Sequence, residues 1–178
     1  NGDGLDDLIV NARSARVLSQ GNGEVYVLPG PLESGQSLTM PGGAAMTVQG
    51  MEFSAQIGIN LDSGDMNGDG FDDVVFSNMT STSASVYPGS PLIAVSAPVT
   101  IADLPQNRMM TVRPTENVLG FCDFNGDGYQ DLFVEQFSFE QGLRVYGILG
   151  SAALASTAPI TLELPSQADI TIQGPHLR

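Results

Sequence analysis

The stretch DMNGDGFDDVVF, Asp65 to Phe76, returns as DFNGDGYQDLFV from Asp123 to Val134. A shorter copy, NGDGLDDLIV, occupies Asn1 to Val10. Counting nine positions from Asp65, side chains bearing oxygen stand at one, three, five and nine: Asp65, Asn67, Asp69 and Asp73. A tightly coiled loop aims such alternating side chains at one point. Position seven, Phe71, offers its backbone carbonyl, and glycine at six permits the positive φ that wraps the chain round an ion. With the acid at nine binding through both oxygens, and a water, the set reaches ~6–7 hard oxygen ligands, which suits Ca2+ better than Mg2+.

The second full loop matches it with Asp123, Asn125, Asp127, the Tyr129 carbonyl and Asp131. The first copy keeps Asn1, Asp3, the Leu5 carbonyl and Asp7, without an acid at position one. Ca2+ is therefore expected at two well-formed sites and at a third, partial one. Position eight is Asp6, Asp72 or Gln130 and is read as a non-ligand. An EF-hand would need an acid at position twelve and a helix after it, but Val10, Phe76 and Val134 stand there. Plain Asn-Gly or Asp-Gly hairpin turns are the rival reading; three copies that keep the oxygen positions weigh against it.

Clustered carboxylates are unfavourable alone: a pair held ~5 Å apart costs about 3 kcal/mol at an effective dielectric of 20. A cation reverses that sign. Extracellular modules bind calcium at about 10⁻⁴–10⁻³ M, so a secreted or cell-surface location is expected. The 178-residue chain carries a net charge of −14, with six Arg and no Lys, which disfavours nucleic acid as a partner. Ten of its twenty acids fall in the three loops, so the charge is concentrated rather than spread. No apolar run approaches the ~20 residues of a membrane helix, and membrane insertion is not expected.

The repeat is longer than the loop. Asn1 to Asn67 is 66 residues, and Asn67 to Asn125 is 58. After each loop come four landmarks in one order: DLIV, DVVF or DLFV; then VYVLPG, VYPG or VYGILG; then SLTMP, VTIADLP or ITLELP; then MTVQG, MTVRP or ITIQG. Each run is short, rich in Val, Ile, Thr, Phe and Tyr, and bounded by Gly or Pro, which is strand chemistry. No 3.6-residue periodicity is sustained, so almost no helix is expected. Four or five antiparallel strands per repeat predict one small sheet each, stacked on its neighbours because it cannot bury both faces alone. Radial stacking gives a β-propeller. The expectation is an all-β, single-domain fragment, 1–178, of about three blades (approximately 1–60, 61–118 and 119–178), completed by other chain segments or other subunits.

The sequence resembles the FG-GAP (integrin alpha-type) repeats, also grouped with VCBS-type repeats, whose DxNGDGxxDL loop precedes an apolar strand and a VYV-G strand. The resemblance covers nearly the whole chain. It departs before each loop, where IGIN (Ile57–Asn60) and LGFC (Leu119–Cys122) replace a clear Phe-Gly. It implies four-stranded propeller blades, with structural calcium in the loops between the first and second strands. Ligands are then expected mostly on the opposite face.

The remaining candidates for chemistry are sparse. Cys122 is expected to be a buried, inert thiol, and the lone His176 leaves a catalytic triad little to build on. Glu116, Glu135, Glu140 and Glu163 fall on different runs and read as solvated surface rather than a glycosidase pair. Arg13, Arg16 and Arg108 are too scattered for an anion site. Tyr26, Tyr87 and Tyr146 share one repeat position, which marks packing, and Asn78-Met79-Thr80 is a glycosylation sequon in a eukaryotic source. The expected function is a non-catalytic, calcium-stabilised recognition or adhesion module with a protein or glycan ligand. An accessory carbohydrate-binding or positioning domain of a secreted enzyme, or a structural assembly subunit, are the alternatives.

Overall fold

The computed structural model describes residues 1–17, 20–51, 56–91, 99–103, 108–139, 142–155 and 158–174. Glu140, His176 and the Leu104–Pro105 end of one landmark lie outside them. In chain order the strands are β1 (Leu8–Ala12), β2 (Arg16–Val17), β3 (Gln20–Gly21), β4 (Glu24–Leu28), β5 (Met46–Gln49), β6 (Leu61–Gly64), β7 (Asp73–Asn78) and β8 (Ser83–Tyr87). They continue with β9 (Val99–Ala102), β10 (Met110–Arg113), β11 (Asn117–Cys122), β12 (Asp131–Ser138), β13 (Gly142–Ile148), β14 (Ile160–Glu163) and β15 (Ile170–Gln173). The chain is all-β, with a short 3-10 turn at Ala152–Ala155. No helix among the described residues is long and apolar enough to cross a membrane.

Three main sheets form, ordered β1-β4-β5-β9, β14-β10-β8-β7-β6 and β11-β12-β13-β15. Pairing is antiparallel except at two outer edges, where β9 runs parallel to β5 and β14 parallel to β10. This corrects the expectation that every landmark of a repeat joins its own antiparallel sheet. The second and fourth landmarks are direct neighbours, as in β4–β5 and β8–β10. The third landmark lies between them in sequence and has no slot between them, so in the second and third repeats it leaves and becomes the outer strand of the preceding sheet. In the first repeat Ser37–Thr39 forms no strand.

The sheets stack through two apolar layers. Val25, Val27, Met46 and Val48 of the first sheet share a core with Val74, Phe76 and Tyr87 of the second. On the other side of the second sheet, Val75, Val86, Met110 and Val112 meet Leu132, Val134 and Tyr146 of the third. The second sheet is thus covered on both faces, which is why β7 is buried at every residue, the polar Asp73, Ser77 and Asn78 included. Tyr26, Tyr87 and Tyr146 are all buried, as their shared position predicts. Phe76 and Tyr87 stack with ring centroids 5.5 Å apart.

A buried polar clip ties the first junction together. Asp103, just beyond β9, accepts hydrogen bonds through Oδ1 from the Tyr87 hydroxyl and from Arg108 Nε, each at 2.8 Å. Arg108 Nη1 also donates to Thr111 Oγ1 at 3.3 Å. The outer strand β9 is therefore fastened by charge to the repeat that supplies it. Removing one partner strands a buried charge, which costs far more than the pair contributes. Asp103→Ala is expected to lower stability in denaturant titration by about 3–5 kcal/mol. The double change Asp103→Leu with Arg108→Leu should recover most of that loss; equal losses would count against the clip.

Candidate metal centre

Each loop joins its sheet through a carboxylate at position nine. Asp73 and Asp131 are fully buried. Asp73 Oδ1 accepts from the Gly89 amide at 2.9 Å, and its Oδ2 from the Met66 amide at 3.1 Å. Asp131 does the same with Gly150 at 2.8 Å and Phe124 at 2.9 Å. In the first loop Asp7 Oδ1 takes the Gly30 amide at 3.0 Å. One oxygen closes the loop and the other holds the end of the VY strand. This explains why that landmark ends in glycine: a Cβ at Gly30, Gly89 or Gly150 would come within 2.5 Å of the carbonyl of Asp6, Asp72 or Gln130. Position eight thus contributes backbone.

Inside the loop the remaining acids are turned inward by the loop's own amides. Asp65 accepts from Gly68 at 2.7 Å, Asp69 at 3.1 Å and Gly70 at 2.9 Å. Asn67 Oδ1 accepts from Asp69 at 2.8 Å, and Asp69 Oδ1 from Phe71 at 3.0 Å. Asp123, Asn125 and Asp127 reproduce the pattern, Asp123 accepting from Gly126, Asp127 and Gly128 at 2.7, 3.1 and 3.1 Å. Asp127 and Tyr129 donate to Asn125 and Asp127, each at 3.0 Å. The first loop keeps the last two links, Asp3 amide to Asn1 and Leu5 amide to Asp3. Here Asn1 Nδ2 also donates to both Asp7 oxygens at 3.0 Å.

The donor set fits a hard cation. Burial pushes the Asp73 carboxyl up to about 6, and the nearby Asp69 and Asp65 charges add to the rise against the Gly89 and Met66 amides. Among the described residues no three His, Cys, Asp or Glu side chains form a metal-holding group. The donors are mixed, with an Asn oxygen and the position-seven carbonyl beside the Asp oxygens, which is calcium rather than zinc chemistry. Asp65, Asn67, Asp69, Phe71 and Asp73 are brought together on one loop, and Asp123, Asn125, Asp127, Tyr129 and Asp131 on another.

The side chain at position seven has a second job that spacing alone does not reveal. The Tyr129 ring lies on Gly68, and the Phe71 ring lies on Gly2, so each aromatic covers position four of the preceding loop. A Cβ at Gly2 would come within 2.6 Å of the Phe71 ring, and one at Gly68 would overlap the Tyr129 ring. The loops also share backbone: the Gln130 amide donates to the Asp65 carbonyl and the Ser151 amide to the Met66 carbonyl, both at 3.0 Å.

Other expectations are settled here. Cys122 is exposed, not buried, because it ends the edge strand β11. Asn78 is buried and accepts from the Thr80 and Ser81 amides at 3.1 and 3.2 Å, so the sequon serves as a turn cap. Glu163 pairs with exposed Arg113 at 2.7 Å and Glu135 accepts from Asn117 at 3.1 Å.

No family model matches the chain. It is similar to a phosphatidylinositol-glycan-specific phospholipase D from Dictyostelium discoideum, at 28% identity over 158 residues, covering 75% of this chain and 16% of that protein. The chain thus spans about a sixth of that relative's length.

Gly70 and Gly68 separate two causes of glycine preference within one loop. Both have positive φ, +86° and +76°, but a Cβ at Gly70 meets nothing within 4 Å. Gly70→Ala should cost about 1–2 kcal/mol, the penalty of the left-handed region. Gly68→Ala should cost about 1–3 kcal/mol more, from overpacking against Tyr129. Urea unfolding curves compare them; equal losses would remove the packing role of Tyr129.

Proposed function

We propose that the chain is a calcium-stabilised, non-catalytic recognition module built from FG-GAP/VCBS-type propeller blades and working outside the cell or on its surface. The observation that carries this reading is the duplicated inward turning of Asp65, Asn67 and Asp69, and of Asp123, Asn125 and Asp127, by the same amide bonds. Those bonds aim hard oxygen donors into each loop while leaving lone pairs for a cation, since each carboxylate oxygen has two. Three stacked sheets with matching loops at matching ends support the propeller arrangement. Calcium would be held by Asp65, Asn67, Asp69, the Phe71 carbonyl and Asp73, and by Asp123, Asn125, Asp127, the Tyr129 carbonyl and Asp131. Asn1, Asp3, the Leu5 carbonyl and Asp7 would form a weaker third site. Its role is to neutralise the carboxylates and brace loops that contact the neighbouring sheet. Protein or glycan ligands would bind away from these loops.

The similarity to part of a phospholipase D favours a second reading, in which such sheets are an accessory domain of a secreted enzyme whose chemistry resides elsewhere. Both readings require the same metal behaviour.

Asp69→Ala and Asp127→Ala are expected to lower Tm in millimolar calcium by several degrees, since an occupied site at tenfold excess contributes about 1.4 kcal/mol. In chelator the same changes should move Tm far less. Equal losses in both conditions would sink the metal role.

A further inference from the structure

Four bonds in this chain join Asn to Gly: Asn1-Gly2, Asn22-Gly23, Asn67-Gly68 and Asn125-Gly126, three of them at positions three and four of the acidic loops. Asn is thermolabile, and most of all before Gly. Glycine has no side chain to shield its amide nitrogen from the preceding carboxamide or to restrict rotation toward it.

At Asn67-Gly68 both reacting groups are held. The nucleophile, the Gly68 amide nitrogen, donates to Asp65 Oδ1 at 2.7 Å. To attack, it must break that bond and lose its proton beside the Asp65 and Asp69 carboxylates, which disfavour a further negative charge. The electrophile is tied at both ends: Asn67 Oδ1 accepts from the Asp69 amide at 2.8 Å, while Nδ2 donates to Asp69 Oδ2 at 3.1 Å and faces Met109 Sδ at 3.7 Å. Asn67 is buried, with 4% of its surface exposed.

Those restraints all belong to the second repeat. One more comes from outside it: the Tyr129 ring of the following repeat lies against Gly68, where a Cβ would overlap it. Rotation of the Asn67-Gly68 peptide toward the carboxamide has to push that ring aside. Phe71 covers Gly2 of Asn1-Gly2 in the same way, so both junctions carry the arrangement.

We propose that Asn67-Gly68 is a latent deamidation site which the Tyr129 ring keeps closed, so that the third repeat guards a chemically weak bond of the second. When the guard is lifted, the Gly68 nitrogen bonds to Asn67 Cγ, the Cγ–Nδ2 bond breaks, and Nδ2 leaves as ammonia carrying the proton the amide gives up. Water then opens the cyclic imide at one carbonyl or the other, leaving aspartate or isoaspartate. Isoaspartate adds a backbone carbon between positions three and four and breaks the alternation that turns Asp65 and Asp69 into one loop. No cation takes part in any step, so the proposal stands apart from the metal reading.

The test incubates the full chain in mildly alkaline buffer with chelator, well below its Tm, and counts conversion at each Asn by peptide mapping. Asn22-Gly23 is the internal reference: Asn22 is 1% exposed, and a Cβ at Gly23 would meet Ile57 and Arg13 rather than Tyr129. Tyr129→Ala should speed conversion at Asn67 about tenfold, in step with the larger population of opened loop, and leave Asn22 at the parent rate. Tyr129→Phe, which carries the ring found at Phe71, should keep Asn67 at the parent rate. If circular dichroism shows Tyr129→Ala unfolded, Tyr129→Leu takes its place with the same expected local rise, Leu5 being a position-seven residue the fold already holds. Conversion at Asn67 unmoved by loss of the ring, a folded variant in which Asn22 accelerates as much as Asn67, or Tyr129→Phe converting as fast as Tyr129→Ala would each overturn the proposal.

Discussion

The structure depends on a buried aspartate at the last position of each of the two full loops. Asp73 and Asp131 sit with no exposed surface at the start of a strand, a costly place for a carboxylate. They are kept there by backbone amides, one from within the loop and one from the glycine ending the next strand. That double acceptance fixes where the loop lies relative to its sheet. Once it is fixed, the position-seven side chain falls on the neighbouring loop's glycine, and the sheets stack at one spacing. Loop, strand end and junction are thus one mechanical unit, and the Asp that looks like a ligand in the sequence is also the hinge pin of the fold.

The same logic explains why the unit of sequence and the unit of structure differ. The second and third repeats each contribute four strands to their own sheet and one to the sheet before it. The stray strand does not float: Asp103, immediately after β9, is bonded to Tyr87 and Arg108 of the sheet behind it. Two neighbouring sheets therefore share chain, charge and apolar layer. Nearest-neighbour coupling of this kind is what makes stacked repeats fold together rather than one at a time.

Much of this is legible in the residues. The loops, the strand runs, the scarcity of helix and the packing role of Tyr26, Tyr87 and Tyr146 follow from local chemistry and repetition. The destination of the third landmark does not, because ITLE reads as a strand whichever sheet receives it; only the adjacency of β13 and β15 excludes it from its own. The glycine landmarks are visible as turn punctuation, but their cause, the approach of the position-eight carbonyl, is a three-dimensional fact. Cys122 misleads because an apolar run on an edge strand, unlike one in a central strand, leaves its last side chain in water. Asn78 misleads in the opposite direction, a polar side chain buried because it caps a turn.

Amide donors and a cation make different demands on the loop carboxylates, and the geometry lets both be met. Asp65 already accepts three amides, so its direction is set before any ion arrives. The loop is then preorganised, and a cation would find its ligands oriented rather than having to gather them. Preorganisation of this kind shifts the metal's effect from folding the chain to relieving charge repulsion within a formed loop. The Asp73 carboxyl is raised to about 6 chiefly by burial, which the Gly89 and Met66 amides oppose and the Asp69 and Asp65 charges reinforce.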